Sequence, residues 1–417
     1  VPGWDMPGRN QDEAPTDADA NGARGRWQRG VLAAALIISL SVWFSATAVG
    51  PSLQAEWGLG AMGLVWLTAA VQLGFVVGAL AGSVFNLPDR VDLPLLIALA
   101  AVGAALCTLL FAFAANGFAS AVVMRACTGV FLAGVYPTGM KLMATWSAPA
   151  IRGRSFGMFI ACLTIGSTLP YLLATWHGPS WRVVMAAAAV LALLGAAITI
   201  TCLRTGPYAA PSPPFNPRHV LVGFRSRAPR AANLGYFGHM WELYALWAWL
   251  PALVAISPQL TALPIASGLL VFLVLGVSGA VGSIIGGRIA DRRGRRFAAV
   301  SALIVSGICC CLSPLVPVMP AVVALVVLVV WGAAVIADSG VFSAALSETV
   351  DSSYVGTSLA VQTAIGYGFT VISIQLVAAV ADLGSWRVAF VILAIGPLIG
   401  AVAMSRFVEP REMGATA

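Results

Sequence analysis

Polar and apolar positions along this chain separate into long blocks rather than alternating at a helical or strand period. Apolar runs of about 20 residues recur, the length a helix needs to cross a hydrocarbon core of about 30 Å. Twelve spans are expected: 30–50, 62–85, 93–115, 118–141, 155–175 and 182–203, then 234–254, 265–286, 297–316, 321–345, 356–380 and 387–407. Between the sixth and seventh, residues 204–233 carry Pro207, Pro211, Pro213, Pro214, Pro217 and Pro229 together with five arginines. The pattern predicts an all-α integral membrane protein with two pseudo-symmetric six-helix bundles, at 27–203 and 234–407, joined by a linker over 204–233. Residues 1–26, with Asp5, Asp12, Glu13, Asp17 and Asp19, lack the apolar core of a signal peptide and read as a disordered tail. A second short tail is expected over 408–417.

Composition removes the soluble alternative. Hydrophobic residues make up 59% of the 417 and charged residues 9%, against about 25% charged in a soluble domain; the mean hydropathy is +0.91. The formal charge of +7 could suggest a nucleic-acid partner, but the basic residues sit between apolar blocks and act as topology determinants. All but three of the 23 basic residues fall in the tails, the linker and alternate loops; the exceptions are Arg125, Arg182 and Arg387. By the positive-inside rule both termini and the linker are expected in the cytoplasm of a multi-pass cell-membrane protein. An odd number of spans would separate the termini, so the asymmetry favours twelve. The seven cysteines lie inside apolar blocks, where Cys behaves as a small apolar residue, and no disulfide framework is expected. The run Cys309, Cys310, Cys311 points to different helix faces and cannot converge on one metal ion.

The two halves echo each other at an offset of 205 residues. Ser180-Trp181-Arg182-Val183 opens the sixth span and Ser385-Trp386-Arg387-Val388 the twelfth, and Gly74 and Gly82 fall on Gly279 and Gly287. Such duplication marks transporters whose site lies at the bilayer midplane between repeats.

Between the eighth and ninth spans stands Gly287-Arg-Ile-Ala-Asp291-Arg292-Arg293-Gly294-Arg295-Arg296. Gly287 suits close helix packing, Gly294 a tight turn, and Asp291 can accept from nearby arginines. This run resembles the G-x-x-x-D-R-x-G-R-R loop signature of the major facilitator superfamily at every defining position. The resemblance implies that fold and transport by rocking of two bundles, with the cluster as a cytoplasmic latch. The first-half copy, Gly82-Ser-Val-Phe-Asn86-Leu-Pro-Asp89-Arg90, departs from it, with Asn for Asp and no following Gly-x-Arg. Arg125-Ala-Cys-Thr-Gly129 with Gly134 and Pro137 resembles the family's R-x-x-x-G pattern, which implies a coupling or substrate role for Arg125. Gly157, Gly166 and Pro170 follow part of a pattern associated with antiporters.

Ionisable groups inside spans are costly and are functional candidates by default. Glu242, Asp338 and His239 are the proton-coupling candidates. His239 and Glu242, three apart, share a helix face and can touch, and Asp338 can pair with Glu242 or with the Asp291–Arg292 loop. The permanent charge of Arg125 suits an anionic substrate or a neighbouring carboxylate. Trp43, Ser45, Gln362 and Tyr367 are further cavity candidates, weighed against roles as helix glue or interface anchors.

No catalytic constellation emerges, with three histidines scattered at 177, 219 and 239 and no G-x-x-x-x-G-K-[ST] phosphate loop. The expectation is a secondary active transporter of a small molecule, proton-coupled and monomeric, embedded in the lipid bilayer. It needs no cofactor, metal or nucleic acid and is not an enzyme. The alternatives are an uncoupled facilitator of the same fold or a transport-silent receptor.

Overall fold

A computed structural model describes Ala20 and residues 22–148, 151–175, 180–209, 215–351, 354–383 and 386–409; most of the two expected tails lies outside the described residues. Each expected span coincides with helix. These are α1 (Ala23–Ser39), α2 (Ala61–Val84), α3 (Leu93–Ala114), α4 (Phe118–Thr145), α5 (Arg152–Leu173), α6 (Trp181–Cys202), α7 (Arg227–Ala255), α8 (Ser278–Arg293), α9 (Arg295–Leu312), α10 (Ala321–Ala337), α11 (Val355–Leu383) and α12 (Ile395–Ser405). Two helices start well before hydropathy suggested: α1 begins inside the expected tail and α7 inside the expected linker. Hydropathy marks where lipid begins, whereas backbone hydrogen bonding continues into the arginine-bearing turns beyond it.

Among the described residues nine helices are long and apolar enough to cross a membrane. The other three spans fall short for readable reasons. The first is interrupted after α1 by a 3-10 turn, Leu40–Val42, before resuming at Ser45–Ala48. The seventh carries Arg227, Arg230, His239 and Glu242. The twelfth is split by a 3-10 turn at Val391–Ala394. Two more irregularities fall inside spans. A π-helical stretch, Phe272–Val277, leads into α8, and α10 breaks at Asp338 before continuing as Ser339–Thr349.

Lipid-facing and protein-facing sides are cleanly divided. On α3, Leu95, Leu99, Leu106, Leu110 and Phe113 are exposed while Ala101, Ala104 and Ala105 are fully buried. Small residues let backbones meet, which drives helix association where lipid is as apolar as leucine. Gly74 and Gly78 of α2 lie against the carbonyls of Ala126 and Val130 in α4, and Gly282 and Gly286 of α8 against those of Ala333 and Ala337 in α10. The same crossing thus recurs in corresponding helices. The close approach expected at Gly287 falls one residue earlier, because Gly286 is the buried position and Gly287 is only half-buried. Helices α5 and α8 pack together, as do α2 and α11.

Candidate functional site

The cavity lies where α4, α5, α7, α10 and α11 converge. Its wall includes Tyr136, Thr164, Tyr236, Tyr244, Trp247 and Tyr367, and its volume is about 30 Å³, room for about two waters. Tyr244 and Tyr367 face each other with hydroxyls 2.7 Å apart. Behind them the Trp43 ring lies 6.0 Å from Tyr244 and 6.2 Å from Tyr367, and Phe75 stacks on Tyr367 at 4.4 Å. The result is an aromatic cage assembled from helices of both the first and second half of the chain.

His239 and Ser339 bring chemistry to that wall. His239 Nδ1 lies 2.8 Å from Asp338 Oδ1, with both side chains 2% exposed, and Nε2 is 3.1 Å from the Ser339 hydroxyl. Asp338 sits in the break of α10, so neighbouring residues 338 and 339 hold opposite edges of one imidazole. The contact with Asp338 is one of charge distance rather than alignment, for Oδ1 accepts no hydrogen bond. A neutral ring protonated at Nδ1 faces the carboxylate and accepts from Ser339; a second proton on Nε2 makes it a cation and turns Ser339 into an acceptor.

Glu242 is placed differently from expectation. The anticipated contact between His239 and Glu242 is replaced by separate partners for each, and Asp338 pairs with His239 rather than with Glu242 or the Asp291–Arg292 loop. Glu242, 1% exposed, receives three donors on Oε1: the hydroxyl of Ser306, Cys310 Sγ at 3.1 Å and Trp331 Nε1 at 2.6 Å. Ser306 and Cys310 are on α9 and Trp331 is on α10, so this carboxylate faces into its own bundle and is absent from the cavity wall. One helical turn separates two acid-bearing sites with different surroundings. Sequence reasoning missed Ser306, Cys310, Trp331 and Trp247. The i, i+4 spacing of Ser306 and Cys310 was a readable sign of a shared face; nothing local marked Trp331 as a carboxylate partner.

Arg125 is fully buried and grips main chain. Nη1 donates to Val42 O at 3.0 Å and Ser45 Oγ at 3.3 Å, and Nη2 donates to Trp43 O. These acceptors are freed where the first span unwinds after α1, so both Nη atoms of Arg125 serve that break while its Nε has no partner, and neither Arg125 nor Ser45 lines the cavity. Gln362 is likewise drawn off: it donates to Asn233 at 3.0 Å and accepts from Ser343 at 3.2 Å, joining α11 to α7 and to the continuation of α10.

In the α8–α9 loop, Gly294 has φ +91°, a conformation that favours glycine, and a Cβ there would meet Glu409. Arg295 reaches Asp291 at 3.3 Å and Glu348 at 3.0 Å, while the Arg296 amide donates to Glu409. These bonds tie the loop to the second half of the chain. Arg292 is exposed. In the first-half copy Asp89 pairs with Lys141 at 2.5 Å, and Asn86, at the divergent position, adopts φ +49°.

Among the described residues no group of three or more His, Cys, Asp or Glu could hold a metal ion. The Major Facilitator Superfamily family model matches residues 31–374. A gallate transporter of Pseudomonas putida is 25% identical over 296 residues, 63% of this chain, and the match spans 64% of that protein's length. The structure of the proton:xylose symporter XylE bound to 6-bromo-6-deoxy-D-glucose superposes with a TM-score of 0.72 at 15% identity, covering 94% of this chain and 99% of that one.

Proposed function

This chain belongs to the major facilitator superfamily, and we propose that it is a secondary active transporter that moves a small aromatic acid with protons by alternating access. The observation that carries the reading is the buried His239–Asp338 pair at the α10 break, opening through the imidazole and Ser339 onto the cavity. The acid class is supported by the aromatic cage and by the relative named for gallate. Its carboxylate would meet His239, the one titratable cation on the cavity wall, so that proton uptake and anion binding favour each other. Asp338 and His239 carry the proton in this scheme, and Glu242 positions α7 against α9 and α10. Arg125 acts through the shape of the span-one break rather than by touching substrate.

The cavity holds too little space for an aromatic acid in this closed form, so the bundles at 27–203 and 234–407 must part to admit it. The α8–α9 cluster would steady one state of that cycle from the cytoplasmic side of a cell membrane, with linker and termini on the same face and the monomer as the working unit.

The test is uptake into proteoliposomes under an imposed pH gradient. Asp338→Asn is expected to lose gradient-driven accumulation of gallate while retaining gallate counterflow, because exchange needs no net proton movement. Accumulation by Asp338→Asn with wild-type dependence on the gradient would sink the proton assignment and leave an uncoupled facilitator.

A further inference from the structure

Buried indole N–H groups normally find an acceptor, because one left unpaired costs about 1–3 kcal/mol. Among the described residues, Trp43, Trp146, Trp181, Trp247, Trp249 and Trp331 are all less than a tenth exposed. Four of them donate: Trp146 to Arg204 O at 2.7 Å, Trp181 to Glu56 at 2.6 Å, Trp249 to Ile374 O at 2.9 Å and Trp331 to Glu242 at 2.6 Å. The Nε1 atoms of Trp43 and Trp247 have no partner.

These two are also the pair placed around the cage. Trp247 lines the cavity and lies 5.9 Å from Tyr244. Trp43 covers the other side of the same phenol pair, and its neighbour Phe44 touches Trp247 at 5.3 Å. One indole comes from the break after α1 and the other from α7, so the unfilled donors belong to opposite halves of the chain. Trp247 carries its unpaired donor on the cavity wall, and Trp43 carries one on the far side of the phenol pair, outside that wall.

We propose that Trp247, on the wall, and Trp43, reached once the Tyr244–Tyr367 pair parts, are substrate-binding residues whose indole N–H groups donate to ring hydroxyl oxygens of an aromatic acid while its carboxylate faces His239. This rests on the aromatic-acid reading above. The division of labour follows from charge. The carboxylate goes to the imidazole, which can become a cation, and neutral donors suit neutral oxygens. A site built to bond hydroxyls rejects an analogue lacking them, because its own polar groups are then left unpaired. Both donors are met only when substrate bridges the two halves, so the assignment also explains how a hydroxylated ring would favour closure.

The probes are gallate, which carries ring hydroxyls, and benzoate, which does not, each assayed for uptake in proteoliposomes. Trp43→Phe and Trp247→Phe keep an aromatic ring and remove the N–H. Each is expected to raise KM for gallate about tenfold while KM for benzoate stays within about twofold. Unchanged KM for gallate, or an equal rise for both acids, overturns the donor assignment; the latter outcome assigns the rings to stacking alone. Transport of neither acid by the wild-type protein overturns the aromatic-acid reading instead. Thermal unfolding then decides the donors without any substrate. The lost ring volume lowers Tm in all three cases, but Trp43→Phe and Trp247→Phe should each cost clearly less than Trp331→Phe, which also breaks a bond to Glu242; an equally large fall shows the N–H groups already filled and overturns the proposal.

Discussion

A guanidinium carries its charge at any relevant pH, and Arg125 spreads that charge over two carbonyls and a hydroxyl in the first span. Lysine keeps the charge but not the fork, so Arg125→Lys is expected to lower Tm and to slow gallate uptake by about tenfold or more. Wild-type stability and uptake in that variant would remove Arg125 from the argument. Glu242 makes a sharper case. Glu242→Ala strands three buried donors and should destabilise by about 3 kcal/mol, whereas Glu242→Gln keeps an acceptor oxygen and should cost under about 1 kcal/mol. Gradient-driven uptake by Glu242→Gln should persist; its loss at wild-type stability would return Glu242 to the proton path. Outside the membrane, Glu56 receives the Arg182 guanidinium and the Trp181 indole N–H, and the first of these above all holds its carboxyl below the usual glutamate range. A depressed folded-state value means stabilisation that is present above the ordinary range and is lost as pH falls through the lowered one. Melting below about pH 4 should therefore depend less on pH in Glu56→Gln than in the wild type, and identical acid profiles would show that the pair contributes nothing.

At the scale of single helices, the interruptions are what make the site. The α10 break presents Asp338 and Ser339 to one imidazole, and the unwound first span offers carbonyls to Arg125. The crossings between α8 and α10 depend on bare backbone: Gly286→Val would drive a side chain into the Ala337 carbonyl, one residue before the break. It should lower Tm and displace Asp338, so that gradient-driven uptake falls with it; a well-folded variant with intact coupling would show that the break is set elsewhere. Hydropathy located a helix in every expected span because lipid imposes the same demand on each, burial of all backbone polar groups; the short helix Gly50–Trp57 between spans left no such mark. It could not find the breaks, since Leu40–Val42 and Phe272–Val277 are as apolar as the helices around them. The acids were legible as rare charges in apolar runs, but their partners were not. Local spacing placed His239 beside Glu242, whereas the imidazole turns to α10, a choice made by helix packing that span-by-span periodicity does not encode.

Across the whole molecule, α5 packs against α8 and against the residues 267–277 that lead into it, through small residues. Gly268 lies against the Tyr171 carbonyl, Gly276 against the Thr168 hydroxyl, and Ser283 donates to the Gly157 carbonyl at 2.7 Å. Gly268→Val would wedge this seam at the Tyr171 end. It is expected to raise the rate at which a cysteine placed at Ser339 is alkylated by a water-soluble maleimide, and an unchanged rate would show that the seam does not govern access. The seam has a mechanical consequence. Glycine against carbonyl has no rotamers to exchange and no knobs to withdraw from holes, so in the proposed cycle these surfaces could slide once the Ser283 bond to Gly157 lets go. It would act as a bearing held by one pin. In the proposed alternating-access cycle the friction would belong elsewhere, in the interlocked rings of Trp43, Phe75, Tyr244 and Tyr367, whose side chains would have to turn past one another.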